Sequence, residues 1–330
     1  MKVLITGGAG YIGSTIASCC VDSGIEPIIL DDLSTGLRQY THGHNFYEGD
    51  IADKDVLRKV FLENQDIEFV IHCAAKIVVP ESVEKPLDYY LNNVGKTIIL
   101  LQEMKKYGIS KFILSSTASM YKPGSDYMVD ENSEVEPLSP YSASKWMLER
   151  VIKDYTETGF LNAITLRYFN PIGADPQMRT GLQSPAPTHA LGKLIEAYKN
   201  NNTFYVTGVN WPTRDGSGLR DYIHVWDLAK AHIEALKRFD SVLKTEGKNY
   251  SIINLGTGKG TTVYELVEGF KKATGSNLSI KDAEPRAGDV VGCATRTAKA
   301  EQVLQWKAKK TIAQGVKDSL IWSEKLKGIL

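Results

Sequence analysis

The sequence predicts an α/β protein in which a doubly wound parallel sheet is followed by a smaller mixed α/β lobe. Short runs rich in Val, Ile and Leu alternate with helical stretches through the first half of the chain. These runs are apolar at successive positions rather than at every second one, as strands buried on both faces are. Beyond residue 170 the alternation loosens into a segment rich in Pro and Gly. At 330 residues two domains are expected, 1–170 and 171–330, with 222–238 the candidate to return to the first.

Taken in order, the expected strands are residues 2–6, 27–31, 68–73, 111–116 and 163–168, with another ahead of Gly49. Between them, 11–23, 54–63, 86–107 and 141–157 have the length and composition of helices covering such a sheet. In the second half, 171–187 is a loop, 188–199 a helix, 215–218 a set of turns, and 225–238 and 262–274 helices. There is no internal repeat or low-complexity tract.

Lys plus Arg equals Asp plus Glu at 39 each, so the chain has no net field to steer it toward nucleic acid or an anionic membrane surface. Cys19, Cys20, Cys73 and Cys293 show no metal-ligand spacing, so no metal is expected and free thiols in a reducing compartment are. Residues 3–21 carry no charge and follow Lys2, but four glycines with Ser and Thr interrupt them, unlike a signal peptide or membrane span. A cytoplasmic protein is expected.

Gly7, Gly10 and Gly13 follow the first strand and open the first helix. One glycine permits the turn, one lets backbone N–H groups approach a pyrophosphate, and one lets helix pack on strand, the arrangement of a Rossmann-type dinucleotide site. The second strand ends in Asp31 and Asp32, where carboxylates accept hydrogen bonds from adenosine ribose hydroxyls and repel a 2′-phosphate. The cofactor expected is therefore NAD, unless Arg38 swings in to compensate. Asp50 and Ile51 either meet the adenine or, for Asp50, cap a helix.

Tyr141 and Lys145 lie four residues apart on a predicted helix. Four residues turn a helix by roughly 400°, so both side chains leave one face about 6 Å apart along the axis. An ammonium beside a phenol favours phenolate. Moving a phenol from about 10 toward neutrality requires roughly 4 kcal/mol, which that ammonium and the positive nicotinamide ring of NAD⁺ supply together in a partly desolvated cleft, leaving Tyr141 as a base. The strand before it ends in Ser115, Ser116 and Thr117, at the carboxyl edge where open α/β sheets bind ligands. Thr117 is placed to bond the oxygen being oxidised, while Ser115 serves the site or only caps the strand.

With these residues in view, the chain resembles the extended short-chain dehydrogenase/reductase family and, within it, the nucleotide-sugar 4-epimerases. The motifs are TGGAGYIG near residue 10, DDLSTG at 31–36, ESVEKP at 81–86 with YYLNNV after it, YSASK at 141–145, RYFNPIGA at 167–174, DGSGLRDYIHVWDLA at 215–229 and PRAGD at 285–289. The resemblance assigns Gly7, Gly10, Tyr11, Ile12, Gly13, Asp31, Asp32, Ser34, Asp50, Ile51, Ala74, Ala75, Asn92, Tyr141, Lys145 and Tyr168 to NAD. It makes Tyr141 the base with Thr117 as its hydroxyl partner, and gives Thr117, Asn170, His189, Arg220, Arg286, Asp289 and Cys293 to a UDP-sugar. Arginines suit a diphosphate, since guanidinium donates in a planar bidentate fork.

The reaction so implied interconverts UDP-galactose and UDP-glucose through a bound 4-keto sugar, with no net redox change. Ala118 and Ser119 follow Thr117 where a 4,6-dehydratase of this family carries Asp-Glu, so elimination is disfavoured. A related substrate such as a UDP-uronic acid, and an inactive nucleotide-binding regulator, are the alternatives; the presence of Tyr141 and Lys145 argues against the second. Cys293 stands where the family faces the C2 substituent of the sugar, which leaves space for UDP-N-acetylhexosamines; otherwise it is a small buried apolar residue. A homodimer is implied, joined through helices 86–107 and 141–157, with Ile98, Leu101, Met147 and Val151 either in the interface or against the sheet.

Overall fold

Seven strands form one sheet in which every neighbouring pair runs parallel. Across the sheet the order is Tyr250–Leu255, Asn162–Tyr168, Lys111–Thr117, Ile67–His72, Lys2–Thr6, Glu26–Asp31 and Asn45–Glu48. The protein is seen here as a computed structural model that describes residues 1–184, 187–285 and 289–329. Crossover helices cover both faces, as parallel connections require.

Successive apolar residues of one strand enter opposite cores. Val3 and Ile5 pack with Ile29, Ile71 and Ile113 on one face, under Ile16 and Ala17 of helix Tyr11–Asp22. Leu4 packs with Ile28, Leu30, Val70 and Phe112 on the other, under Leu57, Leu100, Met104 and Leu148. Each aliphatic side chain withdrawn from water in this way contributes about 1.5–3 kcal/mol. The unbroken apolar character of the strands is therefore a consequence of burial on both sides.

The strand register delivers the site. Thr6 pairs with Leu30 on one side and His72 on the other, so Gly7, Asp31 and Cys73 emerge together at the carboxyl edge.

Several elements differ from expectation. Residues 86–107 are not one helix: Pro86–Tyr90 is α-helical, Leu91–Gly95 is a π-turn, and α-helix resumes at Lys96–Lys106. Tyr250–Leu255 is the seventh strand of the sheet, paired with Asn162–Tyr168. A helix at Ile312–Leu326 closes the chain. Helix Val225–Lys237 packs on Tyr11–Asp22, so the first core draws on both halves of the sequence. A separate core of Leu194, Phe204, Val206, Leu266, Phe270 and Val316 forms the second lobe. Leu101 is buried against the sheet, whereas Ile98 and Met147 are exposed. No helix among the described residues is long and apolar enough to cross a membrane.

Candidate active site

The glycine turn is dictated by close packing. A Cβ on Gly7, whose φ is +69°, would lie 2.6 Å from the Ala74 nitrogen, and one on Gly13 would lie 2.2 Å from the Gly7 carbonyl oxygen. Gly10 differs: it caps helix Tyr11–Asp22 without a side-chain bond, the first turn holds no acid, and a Cβ there would meet nothing closer than 3.4 Å. The N–H groups of Tyr11, Ile12 and Gly13 are thus left facing an open cradle at the positive end of a helix, which suits a pyrophosphate.

Asp31 closes one side of that cradle. Its carboxylate accepts the Ala9 N–H at 2.9 Å and the Leu33 N–H at 2.8 Å, and burial raises its pKa. Asp32 accepts from the Ser34 N–H and hydroxyl at 2.9 and 2.6 Å. Arg38 is engaged elsewhere, paired with Glu48 and lying over the Phe46 ring. Asp50 is not a helix cap: Asp53 caps helix Lys54–Glu63, while Asp50 accepts the Ala52 N–H at 2.8 Å and pairs with Lys96. Ile51 is buried in the second core.

Ala74 and Ala75 follow strand Ile67–His72 on the same edge, against the π-turn that carries Asn92. Sequence reasoning missed the neighbour, Asn93. Its amide takes both backbone groups of Lys76, at 2.9 and 3.0 Å, and donates to the Ser144 hydroxyl at 3.0 Å. One buried side chain therefore ties the loop after Cys73 to the helix bearing Tyr141.

That helix, Pro140–Thr156, starts with a capping box between Ser139 and Ser142. Tyr141 and Lys145 both reach the end of strand Lys111–Thr117. The Tyr141 phenol lies close to the Thr117 hydroxyl. Lys145 is buried and donates to the Ser115 carbonyl oxygen at 2.7 Å. The expected depression of the phenol is absent in the protein alone: burial raises the Tyr141 pKa, with the nearby Thr117 hydroxyl opposing, and pushes Lys145 down to about 8. Desolvation acts on both groups, since each is charged in only one protonation state. Tyr168 stands at the next strand end, its phenol near Ser115 and likewise raised by burial. His72, between the hydroxyls of Thr6 and Thr97 at 2.7 and 3.0 Å, is neutral, pushed down to about 3 by burial.

A cavity of about 400 Å³ in the second lobe is lined by Asn170, His189, Arg220 and Asp289, together with Trp211 and Tyr222. Arg220 is held by three carbonyl oxygens: Leu219 at 2.8 Å, Val291 at 2.7 Å and Val290 at 3.0 Å. Gly292 makes this possible, because a Cβ there would lie 2.0 Å from the guanidinium. The neighbouring Asp221 is fully buried and accepts from Thr257, Gly258 and Thr295, which fixes the junction between strand Leu219–Arg220 and strand Tyr222–His224. Neither Gly292 nor Asp221 carries a local sequence signal. His189 is not a cation. Its Nδ1 accepts the Gly192 N–H at 3.2 Å as a helix cap, and burial pushes it down to about 4. Cys293 is buried with Ala118, Tyr121 and Val129, behind Thr117, its thiol pushed up to about 12. Arg286 lies outside the described residues. Among the described residues no cluster of His, Cys, Asp and Glu is arranged to hold a metal ion.

A helix-end anion cradle, a buried carboxylate at the end of the second strand and a Tyr/Lys pair at one sheet edge define a dinucleotide-dependent enzyme of the short-chain dehydrogenase/reductase type. The sequence model of the NAD dependent epimerase/dehydratase family matches residues 3–256, and the chain belongs to this family. It is 38% identical over 340 residues to a UDP-glucose 4-epimerase of Bacillus subtilis, covering 98% of this chain and 96% of that one. Among solved structures it is similar to the UDP-glucose 4-epimerase of Stenotrophomonas maltophila with bound NAD and formylated UDP-arabinopyranose, at TM-score 0.92 and 31% identity, with both chains fully covered. It is also similar to that of Bifidobacterium longum in complex with NAD+ and UDP, at TM-score 0.91 and 33% identity, again over the whole of both chains.

Proposed function

We propose that this protein is a NAD-dependent epimerase that interconverts UDP-galactose and UDP-glucose. The observation that carries the reading is the meeting of Tyr141, Thr117 and Lys145 at the sheet edge that also holds the Gly10 cradle. Near-full-length likeness to UDP-glucose 4-epimerases supports it.

NAD, when bound, supplies a reversible hydride acceptor. The N–H groups of Tyr11, Ile12 and Gly13 hold its pyrophosphate, and Asp31, Asp32 and Ser34 its adenosine ribose. Asp50 and Ile51 border the adenine. Ala74, Ala75, Asn92 and Tyr168 line the remainder. Tyr141 takes the proton from the sugar O4, Thr117 orients that oxygen, and the Lys145 ammonium favours the phenolate. Arg220, Arg286 and Asp289 bind the UDP, with Asn170 and the Nε2–H of His189 as neutral donors. The keto sugar then turns within the site and is reduced on its other face. Ala118 and Ser119 offer no acid or base for elimination; Ser119 only exchanges hydrogen bonds with Thr117.

Residues 1–170, with the returning segment 222–238, bind NAD, and 171–330 bind the nucleotide sugar. The enzyme is a homodimer: Leu87, Leu91, Trp146 and Met147 stand exposed on adjoining helices, an apolar surface suited to a second copy. Its four free cysteines suit the cytoplasm.

The test is to incubate purified protein with UDP-galactose, first without and then with added NAD⁺. UDP-glucose should form without net NADH, and absence of conversion in both cases would contradict the reading. UDP-N-acetylglucosamine, run in parallel, tests whether Cys293 leaves room at C2.

A further inference from the structure

Behind the Tyr141 and Lys145 pair lies a second buried constellation that the reaction as described does not use. Glu149 and Arg167 are 3% and 4% exposed. Arg167 Nε donates to both Glu149 oxygens, at 3.0 and 3.1 Å, and one terminal nitrogen adds a further bond to the same carboxylate. The other terminal nitrogen donates to the Tyr121 hydroxyl at 2.8 Å, and that hydroxyl donates to Asn254 Oδ1 at 2.7 Å. The Ser116 hydroxyl donates to Glu149 Oε1.

The placement of this ion pair matters more than its strength. Glu149 lies one helical turn beyond Lys145, on the same face. Ser116 adjoins Thr117, and Arg167 adjoins Tyr168. Tyr121 and Asn254 extend the network to the strand Tyr250–Leu255. A buried ion pair of this kind seldom adds net stability over apolar side chains of the same volume. What it sets is geometry and local charge.

We propose that Glu149 and Arg167 are positioning residues for the epimerisation. Their mutually neutralising pair locks the catalytic helix to the strands bearing Thr117 and Tyr168, and keeps Glu149 from forming an ion pair with the Lys145 ammonium on the helix that carries Tyr141. The inference rests on the roles proposed above for Tyr141 and Lys145.

The other groups around Lys145 fit this account. On its own helix are Tyr141 and Glu149. From strand Ile67–His72 and its end come His72, pushed down to about 3, and the Cys73 thiol, pushed up to about 11. From strand Asn162–Tyr168 come Arg167 and Tyr168, the latter held well above its usual range. His232, from helix Val225–Lys237, stands behind the Ser115 hydroxyl at 3.2 Å and is pushed down to about 4. Asp31 reaches as far as Cys73, and Tyr121 and Tyr250 flank the ion pair. The two histidines, Cys73, Tyr121, Tyr168 and Tyr250 are neutral at pH 7. Lys145 forms no ion pair among the described residues, because the nearest carboxylate is committed to Arg167.

The test compares the pH dependence of UDP-galactose turnover in wild type, Glu149→Gln and Arg167→Gln. Removing the carboxylate leaves Arg167 as a second cation near Lys145, so both limbs of the profile should move to lower pH, by about one pH unit. Removing the guanidinium leaves Glu149 unpaired, and both limbs should move to higher pH by a similar amount. The double variant carries no net change and should keep the wild-type limbs. A merely structural role lowers the rate in all three and moves the limbs in no opposed sense. Unmoved limbs, or movement of both single variants in the same direction, would overturn the proposal. If neither single variant folds, the charge-free double variant decides: a displaced limb there overturns it as well. Wild type that does not turn over UDP-galactose would sink the epimerase reading instead, so the two failures are distinguishable.

Discussion

Tyr141 is the residue on which the chemistry turns. A positioned general base contributes about 10²–10⁴ in rate, so Tyr141→Phe should retain UDP-sugar binding, measured by calorimetry, while turnover falls by about that factor. An unchanged rate would remove Tyr141 from the mechanism. Lys145 makes a subtler prediction, because its burial opposes its charge. Its folded pKa, about 8 against a usual 10.5, lies below the unfolded value, so the unfolded chain binds more protons between about pH 8 and 10.5 and stability rises with pH across that window. Below pH 8 the buried ammonium costs about 3 kcal/mol, offset in part by its bond to the Ser115 carbonyl. Lys145→Met should therefore raise the melting temperature at pH 7 while abolishing turnover, and should lack the alkaline rise in stability expected of wild type. A variant that melts lower at pH 7 would contradict this. Gly7, Asp31, Tyr141 and Lys145 were legible in the sequence because their chemistry is local: a spacing and a strand end suffice. Gly292, Asp221 and the Glu149–Arg167 pair were not, because each is defined by a partner distant in sequence.

At the scale of elements, the π-turn Leu91–Gly95 shows what periodicity leaves out. Residues 86–107 have the length and composition of one helix, and a five-residue change in hydrogen bonding leaves no mark on so short a pattern. Its consequence is Asn93, which joins the Lys76 backbone to the catalytic helix. Asn93→Leu would strand the Lys76 N–H and carbonyl without partners, at about 1–3 kcal/mol for each unsatisfied buried group. Thermal melts should show a loss of about 2–6 kcal/mol for the two groups together, accompanied by weaker NAD binding; a neutral substitution would mean that water or a neighbour replaces the amide. The strand Tyr250–Leu255 was missed for a related reason. Ser251 and Asn254 interrupt its apolar run, and its pairing partner lies far back in the chain.

For the whole molecule, the parallel sheet and the loosened second half were legible, whereas the closing of the first core by helix Val225–Lys237 could only be suspected, since packing against Tyr11–Asp22 leaves no sequence signature. Leu91 and Met147 are exposed, and the proposed homodimer would cover them. Leu91→Glu combined with Met147→Glu should give a monomer by light scattering under conditions where wild type is a dimer, and a wild type that is monomeric would refute the interface. The central claim is that one protein-bound hydride acceptor serves both half-reactions, and it is best tested by supplying UDP-galactose carrying deuterium at C4. The account predicts UDP-glucose that keeps the deuterium at C4, with no exchange into water. Loss of the label to solvent, or no conversion even with saturating NAD⁺, would contradict it.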